Sequence, residues 1–236
     1  MYYKMKKQTL LYTVLLFALI LLQNNSVLQT DNSEITTIKN IISKVDYFPL
    51  DNNKELFYDS NFGELKLSIE KKGEIYTTEM ISDDFVYRQK LLLKEDGVYI
   101  KETYQKIKIL LFVNKESKYF YNEPLPRFKY PIIPGQFWEW RGKEFNNDEI
   151  NTLEIKSASI GFETIKVKAG EFNTMKVITE IESGSGTKNK VTEWLSKDIG
   201  IIKSEVEIQG GGLMSFVRDV LGYGTLTFEL SEIKNK

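Results

Sequence analysis

A mainly β fold is what this sequence predicts. The expected form is an antiparallel curved sheet or half-barrel, or two packed sheets, with a short N-terminal helix behind a signal or anchor segment. Three observations predict it. Apolar and polar residues alternate with period two through most of residues 47–234. Glycine-bearing turns such as Asp96-Gly97 and Ala169-Gly170 punctuate the alternation. One face of each run is polar, the pattern of antiparallel strands with a wet side.

The chain begins with Lys4, Lys6 and Lys7 ahead of an uncharged apolar run from Leu10 to Leu22. A positive cluster before a run of about 7–15 apolar residues is a secretory signal pattern. At about 1.5 Å per residue the run reaches roughly 20 Å, short of a hydrocarbon core of about 30 Å. Residues 1–30 are therefore read as a signal peptide or, because Gln23 to Thr30 offers a poor cleavage site, a signal-anchor. The positive flank stays inside and the body crosses the membrane. Such a protein is extracytoplasmic, secreted or held at the membrane by this N-terminal segment.

Residues 31–46 follow as a short helix or tether, since Ile35, Ile38, Ile41, Ile42 and Val45 recur at helical spacing behind the candidate N-cap Ser33. Residues 47–236 then read as one antiparallel β domain of about ten to twelve strands. Leu65, Leu67 and Ile69 alternate with charged and polar neighbours. So do Leu153 and Ile155, then Met175, Val177, Thr179 and Ile181, then Ile202, Ser204, Val206 and Ile208, and finally Leu226, Phe228 and Leu230. Turns are expected at Lys72-Gly73, Asp96-Gly97, Ala169-Gly170 and Ser183–Thr187. The proline segment Pro124 to Pro134 reads as a crossing between two groups of strands, because proline is excluded from central strands.

Of 236 residues, 42% are hydrophobic and 28% charged, which excludes a disordered chain. No histidine and no cysteine is present. Imidazole bases, thiolate nucleophiles, disulfides and the usual zinc or haem sites are thereby excluded. No catalytic residue, metal site or cofactor is assigned. Three basic residues lie in the first thirty, which leaves 29 against 33 acidic ones and a net charge of −4. That balance gives no pull toward nucleic acid.

Two features carry the candidate binding residues. Aromatic residues are densest from Phe112 to Trp140, where Phe112, Tyr121, Tyr130, Trp138 and Trp140 either fill a core or line a cavity for an apolar ligand. Trp138 and Trp140 fall on one strand face. The second is the glycine-bracketed stretch from Gly210 to Gly224, with Leu213, Met214 and Phe216. It either closes the core or forms a flap over an opening. Asp51-Asn52-Asn53-Lys54-Glu55 lacks the glycine and distal glutamate of a calcium loop and reads as a turn.

Three segments in order carry a resemblance: Tyr47-Phe48-Pro49-Leu50, Gly161-Phe162-Glu163-Thr164-Ile165-Lys166-Val167-Lys168-Ala169-Gly170-Glu171-Phe172, and Glu193-Trp194-Leu195 to Gly200-Ile201. Together they resemble a group of uncharacterised bacterial exported and lipoprotein domains, over about residues 47–234. The chain departs from that group in having Lys168 for a proline, no tryptophan after the first motif, and no lipid-bearing cysteine. The resemblance implies a distant likeness in architecture to the lipoprotein-carrier (LolA-like) superfamily, whose curved sheet holds acyl chains. The motifs themselves read as structural: Ala169-Gly170 turns a hairpin, Phe172 and Trp194 fill the core, and Gly200 permits a bend. The function expected is that of a non-catalytic envelope domain binding a lipid or other apolar ligand on its curved sheet. The alternatives are a filled interaction domain with an unknown protein partner and, more remotely, a carboxylate-based enzyme.

Overall fold

Strict alternation over many short runs joined by tight turns has one economical outcome, in which each strand pairs with the next. The computed structural model shows this outcome. It describes residues 46–51, 53–109, 113–146, 149–184, 186–209, 222 and 224–235. The expected signal or anchor segment and the helix over 33–45 lie outside these residues.

The described residues form twelve strands: β1 (Lys54–Ser60), β2 (Gly63–Lys72), β3 (Ile75–Ile81), β4 (Phe85–Lys94), β5 (Gly97–Ile109), β6 (Val113–Lys129), β7 (Phe137–Asn146), β8 (Glu149–Val167), β9 (Gly170–Ser183), β10 (Lys188–Ser196), β11 (Gly200–Gln209) and β12 (Thr225–Asn235). Every pairing is antiparallel and joins neighbours in sequence, save one. β1 pairs with β2 through Ser60↔Gly63 to Leu56↔Leu67, and its other edge pairs with β12 from Lys54↔Asn235 to Ser60↔Phe228. The curved antiparallel sheet is thus closed into a barrel. Register shifts between Phe57 and Tyr58, Lys90 and Leu91, Ser159 and Gly161, and Trp194 and Leu195 supply the local bends that closure needs.

Alternation then separates two environments. Met175, Val177, Leu226, Phe228 and Leu230 turn inward and are buried. The outer face carries charges that meet directly across strands, such as Glu79↔Arg88, Lys90↔Glu102 and Lys190↔Glu207. Glu102 bridges Lys90 and Lys118 at 3.1 and 3.3 Å, and Lys190 lies 2.7 Å from Glu207. A barrel spanning a membrane needs an apolar outer band. This one carries ion pairs across its outer face instead.

Two expectations are corrected. Pro124 and Pro126 do not lie in a crossing between strand groups; they stand inside β6. They are tolerated there because β6 pairs with β7 only at Phe120↔Phe145 and Tyr121↔Glu144, so the β7-facing edge beyond Tyr121 makes no ladder. Asn122 partly closes that seam by accepting a bond from the Lys143 backbone N–H at 2.6 Å. Trp194 does not fill the interior. It sits on the outer face opposite Lys176 and Lys203, whose ammonium groups lie 5.0 and 5.5 Å from its ring, and its indole N–H donates to the Glu163 carboxylate. Its burial comes from lysine stems folded over it.

The turns fall where the glycines require them. At Gly97, where β4 turns into β5, a Cβ would lie 2.1 Å from the Phe128 carbonyl oxygen. Gly73, by contrast, has φ +60° and open space around it. Gly73→Ala should therefore cost about 1–2 kcal/mol through backbone strain alone. Gly97→Ala should cost on the order of 3–4 kcal/mol, because β5 must leave β6. Urea midpoints at equal m-values check the difference.

Candidate functional site

Twelve strands make a barrel too wide for side chains to fill, since about eight already leave room for a small ligand. Inside it lies a cavity of about 770 Å³. Its walls differ in character. β1, β2, β3, β11 and β12 contribute Leu56, Leu67, Ile69, Met80, Val206 and Phe228. β5 to β8 contribute Thr103, Ser117, Tyr119, Tyr121, Glu144 and Asn151. The sheet is continuous, so the asymmetry is written entirely in the inward residues of each strand.

The floor is built by the segment before β1. Phe48 packs on Phe128 with ring centroids 4.9 Å apart, and Phe48 and Pro49 face the cavity. The Arg127 guanidinium lies 4.4 Å from the Phe128 ring and 5.8 Å from that of Phe48. It donates two bonds to the Glu193 carboxylate, one of 2.6 Å to Oε2 and a shorter one to Oε1. Glu193 is 2% exposed. Burial opposes the arginine's charge, but the carboxylate more than offsets this and Arg127 holds its proton more tightly than in water. Tyr87 above it is pushed up to about 12 by burial. Burial also lifts Tyr58 and Tyr121 well above the usual tyrosine range. Tyr58 donates to the Ile201 carbonyl at 2.8 Å, and the Tyr121 hydroxyl lies 3.2 Å from that of Thr103.

The three motifs that are far apart in sequence meet at this floor. Tyr47 contacts the Phe162 ring at 6.4 Å, the Asp198 N–H donates to the Asp46 carbonyl at 2.8 Å, and Gly200 lies beside Pro49. Gly200 has φ +104°, which suits glycine. The Trp194–Glu163 bond ties the second motif to the third. Ala169-Gly170 makes the expected hairpin turn, and Ala169 reaches β12 by donating to the Leu230 carbonyl at 3.2 Å. These motifs close the vessel.

The candidate residues read from the sequence are distributed as follows. Tyr121 lines the cavity. Trp138 and Trp140 share the inner face, but they and Tyr130 pack in the cluster around Phe128 and Leu125 rather than on the cavity wall. Trp140 meets Tyr121 edge-on at 6.1 Å and folds over Gly142, where a Cβ would lie 2.4 Å from the indole. Phe112, Leu213, Met214 and Phe216 lie outside the described residues, as does most of the glycine-bracketed stretch.

Sequence reasoning overlooked the polar lining. Glu144 follows Trp138, Trp140 and Gly142 in the same alternation, and that parity alone places it inward. It stands opposite Tyr121 on β6 and Asn151 on β8. No described residue forms a hydrogen bond or ion pair with its carboxyl, and burial raises its pKa from 4.5 to about 7. Asn146, next on the same face, has an Oδ1 without a hydrogen-bond partner among the described residues. Arg127 and Glu193 could not be paired by inspection, being 66 residues apart.

The family model for DUF3108-like domains matches residues 140–218, about a third of the chain. That span contains the second and third motifs, and supports the resemblance to uncharacterised domains there. No curated protein matches the chain. Among solved structures, a candidate lipoprotein from Parabacteroides distasonis ATCC 8503 overlaps 80% of this chain and 99% of its own, at 14% identity and a TM-score of 0.41. A candidate exported protein with a YmcC-like fold from Bacteroides fragilis NCTC 9343 overlaps 81% and 100%, at 13% identity and a TM-score of 0.38. Overlaps this loose say nothing of a shared site.

Arg127→Met should cost about 3–5 kcal/mol, because it strands Glu193 in the floor, whereas the double change Arg127→Met with Glu193→Leu should cost clearly less. Chemical denaturation of the three proteins measures it. Glu144 gives the opposite kind of signature. Between pH 4.5 and about 7 the folded protein keeps a proton that the unfolded chain releases, so stability falls as pH rises through that window. The loss is on the order of 3 kcal/mol. Glu144→Gln should flatten this part of the stability–pH curve.

Proposed function

We propose that this protein is a non-catalytic, extracytoplasmic binding domain that holds an apolar or amphiphilic molecule in the lumen of its barrel. The observation that carries the reading is the cavity of about 770 Å³, with a wall of aliphatic and aromatic side chains, inside a barrel whose outer face is charged. Small-molecule sites typically span about 300–1,000 Å³ and pair apolar lining with a few polar groups. Water in such a space is poorly satisfied against the apolar wall, and an acyl chain or similar group would displace it favourably.

The location is supported by the N-terminal pattern of Lys4, Lys6 and Lys7 before Leu10–Leu22, which sends the body out of the cytoplasm. If that segment stays uncleaved, it is also the membrane tether, since no cysteine is available for a lipid anchor. The likeness to the lipoprotein-carrier superfamily is part of the same proposal, as a shared use of a curved β surface. A non-catalytic role is supported by the lack of histidine and cysteine.

A second reading, a protein-interaction domain, is favoured by one observation. Ile133, Phe137, Ile160 and Phe162 are 42 to 58% exposed. They gather where the β6–β7 connection bonds to β8 through Gly135 N–H to the Ser159 carbonyl. Exposed apolar groups in one place mark contact surfaces.

Native mass spectrometry of the full-length protein, purified gently from the cell envelope, separates the two. The binding reading expects a monomer carrying a reproducible added mass that organic solvent extracts. A bare monomer that also refuses an apolar fluorophore would overturn it. A bare dimer or a stoichiometric protein partner would replace it with the second reading.

A further inference from the structure

The two walls of the cavity differ in what they can offer a ligand. We propose that the lumen selects an amphiphile with a primary amine head group, seated at Glu144 with Asn146 and Asn151, its chain lying along Leu56, Leu67 and Phe228. This inference rests on the proposed binding role and adds the chemistry of the head.

The geometry comes from register. Glu144 is directly opposite Tyr121 on one side and Asn151 on the other, and Asn146 is opposite Glu149. Directly opposed side chains have Cβ atoms about 4.5–5.5 Å apart. Five residues of three adjacent strands therefore present one patch on the lining. The patch is rich in acceptors: two carboxylates, the Asn146 Oδ1, which has no partner among the described residues, and the Asn151 carbonyl. The Tyr121 hydroxyl of the patch lies 3.2 Å from that of Thr103.

The alternative anchor is Arg127, which would suit a carboxylate head. It is already satisfied by two bonds to Glu193 and covered by Phe48 and Phe128. Recruiting it would strand a buried carboxylate. Setting that pair aside, the charged lining among the described residues consists of Glu144, Glu149 and Lys115, and Lys115 has an interaction of its own. The surplus is negative. Glu144 also behaves as a carboxyl short of a counter-charge, holding its proton to about 7. An ammonium group supplies that charge together with three donors.

Displacement of a lumen-bound apolar fluorophore by three single-chain ligands of equal length tests this at pH 7.5, below their micelle concentrations. The ligands are dodecylamine, dodecanol and dodecanoate. The amine should bind at least tenfold more tightly than the acid. Glu144→Gln should reduce that preference to within about twofold, while Glu207→Gln on the outer face keeps it. Equal binding of all three, or a preference for the acid, would overturn the head-group inference while the lumen role stands. A preference that survives Glu144→Gln would overturn the assignment of the seat. Failure of all three to bind would overturn the lumen role itself, and this inference with it.

Discussion

Strand β1 is only seven residues long, and both of its edges are used: one ladders with β2, the other with β12. That double pairing is the constraint on which the remaining structure depends. With β1 in place the first and last strands become neighbours and the inner residues of all twelve enclose a single volume. Without it the same chain is an open sheet with two exposed edges, and its apolar face has nothing to enclose. Closure at twelve strands has a cost in packing density, because facing walls stand too far apart for side chains to interdigitate. The cavity is the direct consequence of that width.

A wide barrel needs a bottom, and the chain builds one from residues that touch nothing in common along the sequence. Phe48 and Pro49 enter beneath the lumen, Phe128 meets Phe48, and Gly200 stands beside Pro49. The Arg127–Glu193 pair lies over these rings, the arginine largely and the glutamate almost wholly buried. The buried pair adds little net stability when balanced against desolvation. Its removal from one side only is expensive, and so it fixes the floor in one arrangement. Motifs that stand out in the sequence therefore belong to the closing of the vessel, whereas the polar stretch of the lining around Glu144 carries no motif at all.

Much of the fold was legible. The period-two runs, the Asp96-Gly97 and Ala169-Gly170 turns and the glycine at 200 follow from side-chain alternation and backbone sterics, which are local. Glu144 could also have been placed inward by counting in twos from Trp138. Other features were not legible, for definite reasons. Prolines 124 and 126 look incompatible with an interior strand until the partial pairing of β6 with β7 is known. Trp194 looks like core until two lysines on neighbouring strands are seen to cover it. Neither fact has a local signature.

The amino-acid sequence by itself determined the class of the protein: antiparallel β structure with alternating faces, and no imidazole or thiol chemistry. These are properties of composition and of spacing between near neighbours, and nothing distant can change them. Tertiary structure decided the rest. Whether the sheet closes depends on a pairing between residues 54–60 and 228–235, and which carboxylate is neutralised depends on an arginine 66 positions away. Width, floor and polarity of the lumen are sums over many such long-range meetings. An alternating pattern can say which way a side chain points, but not what stands across from it.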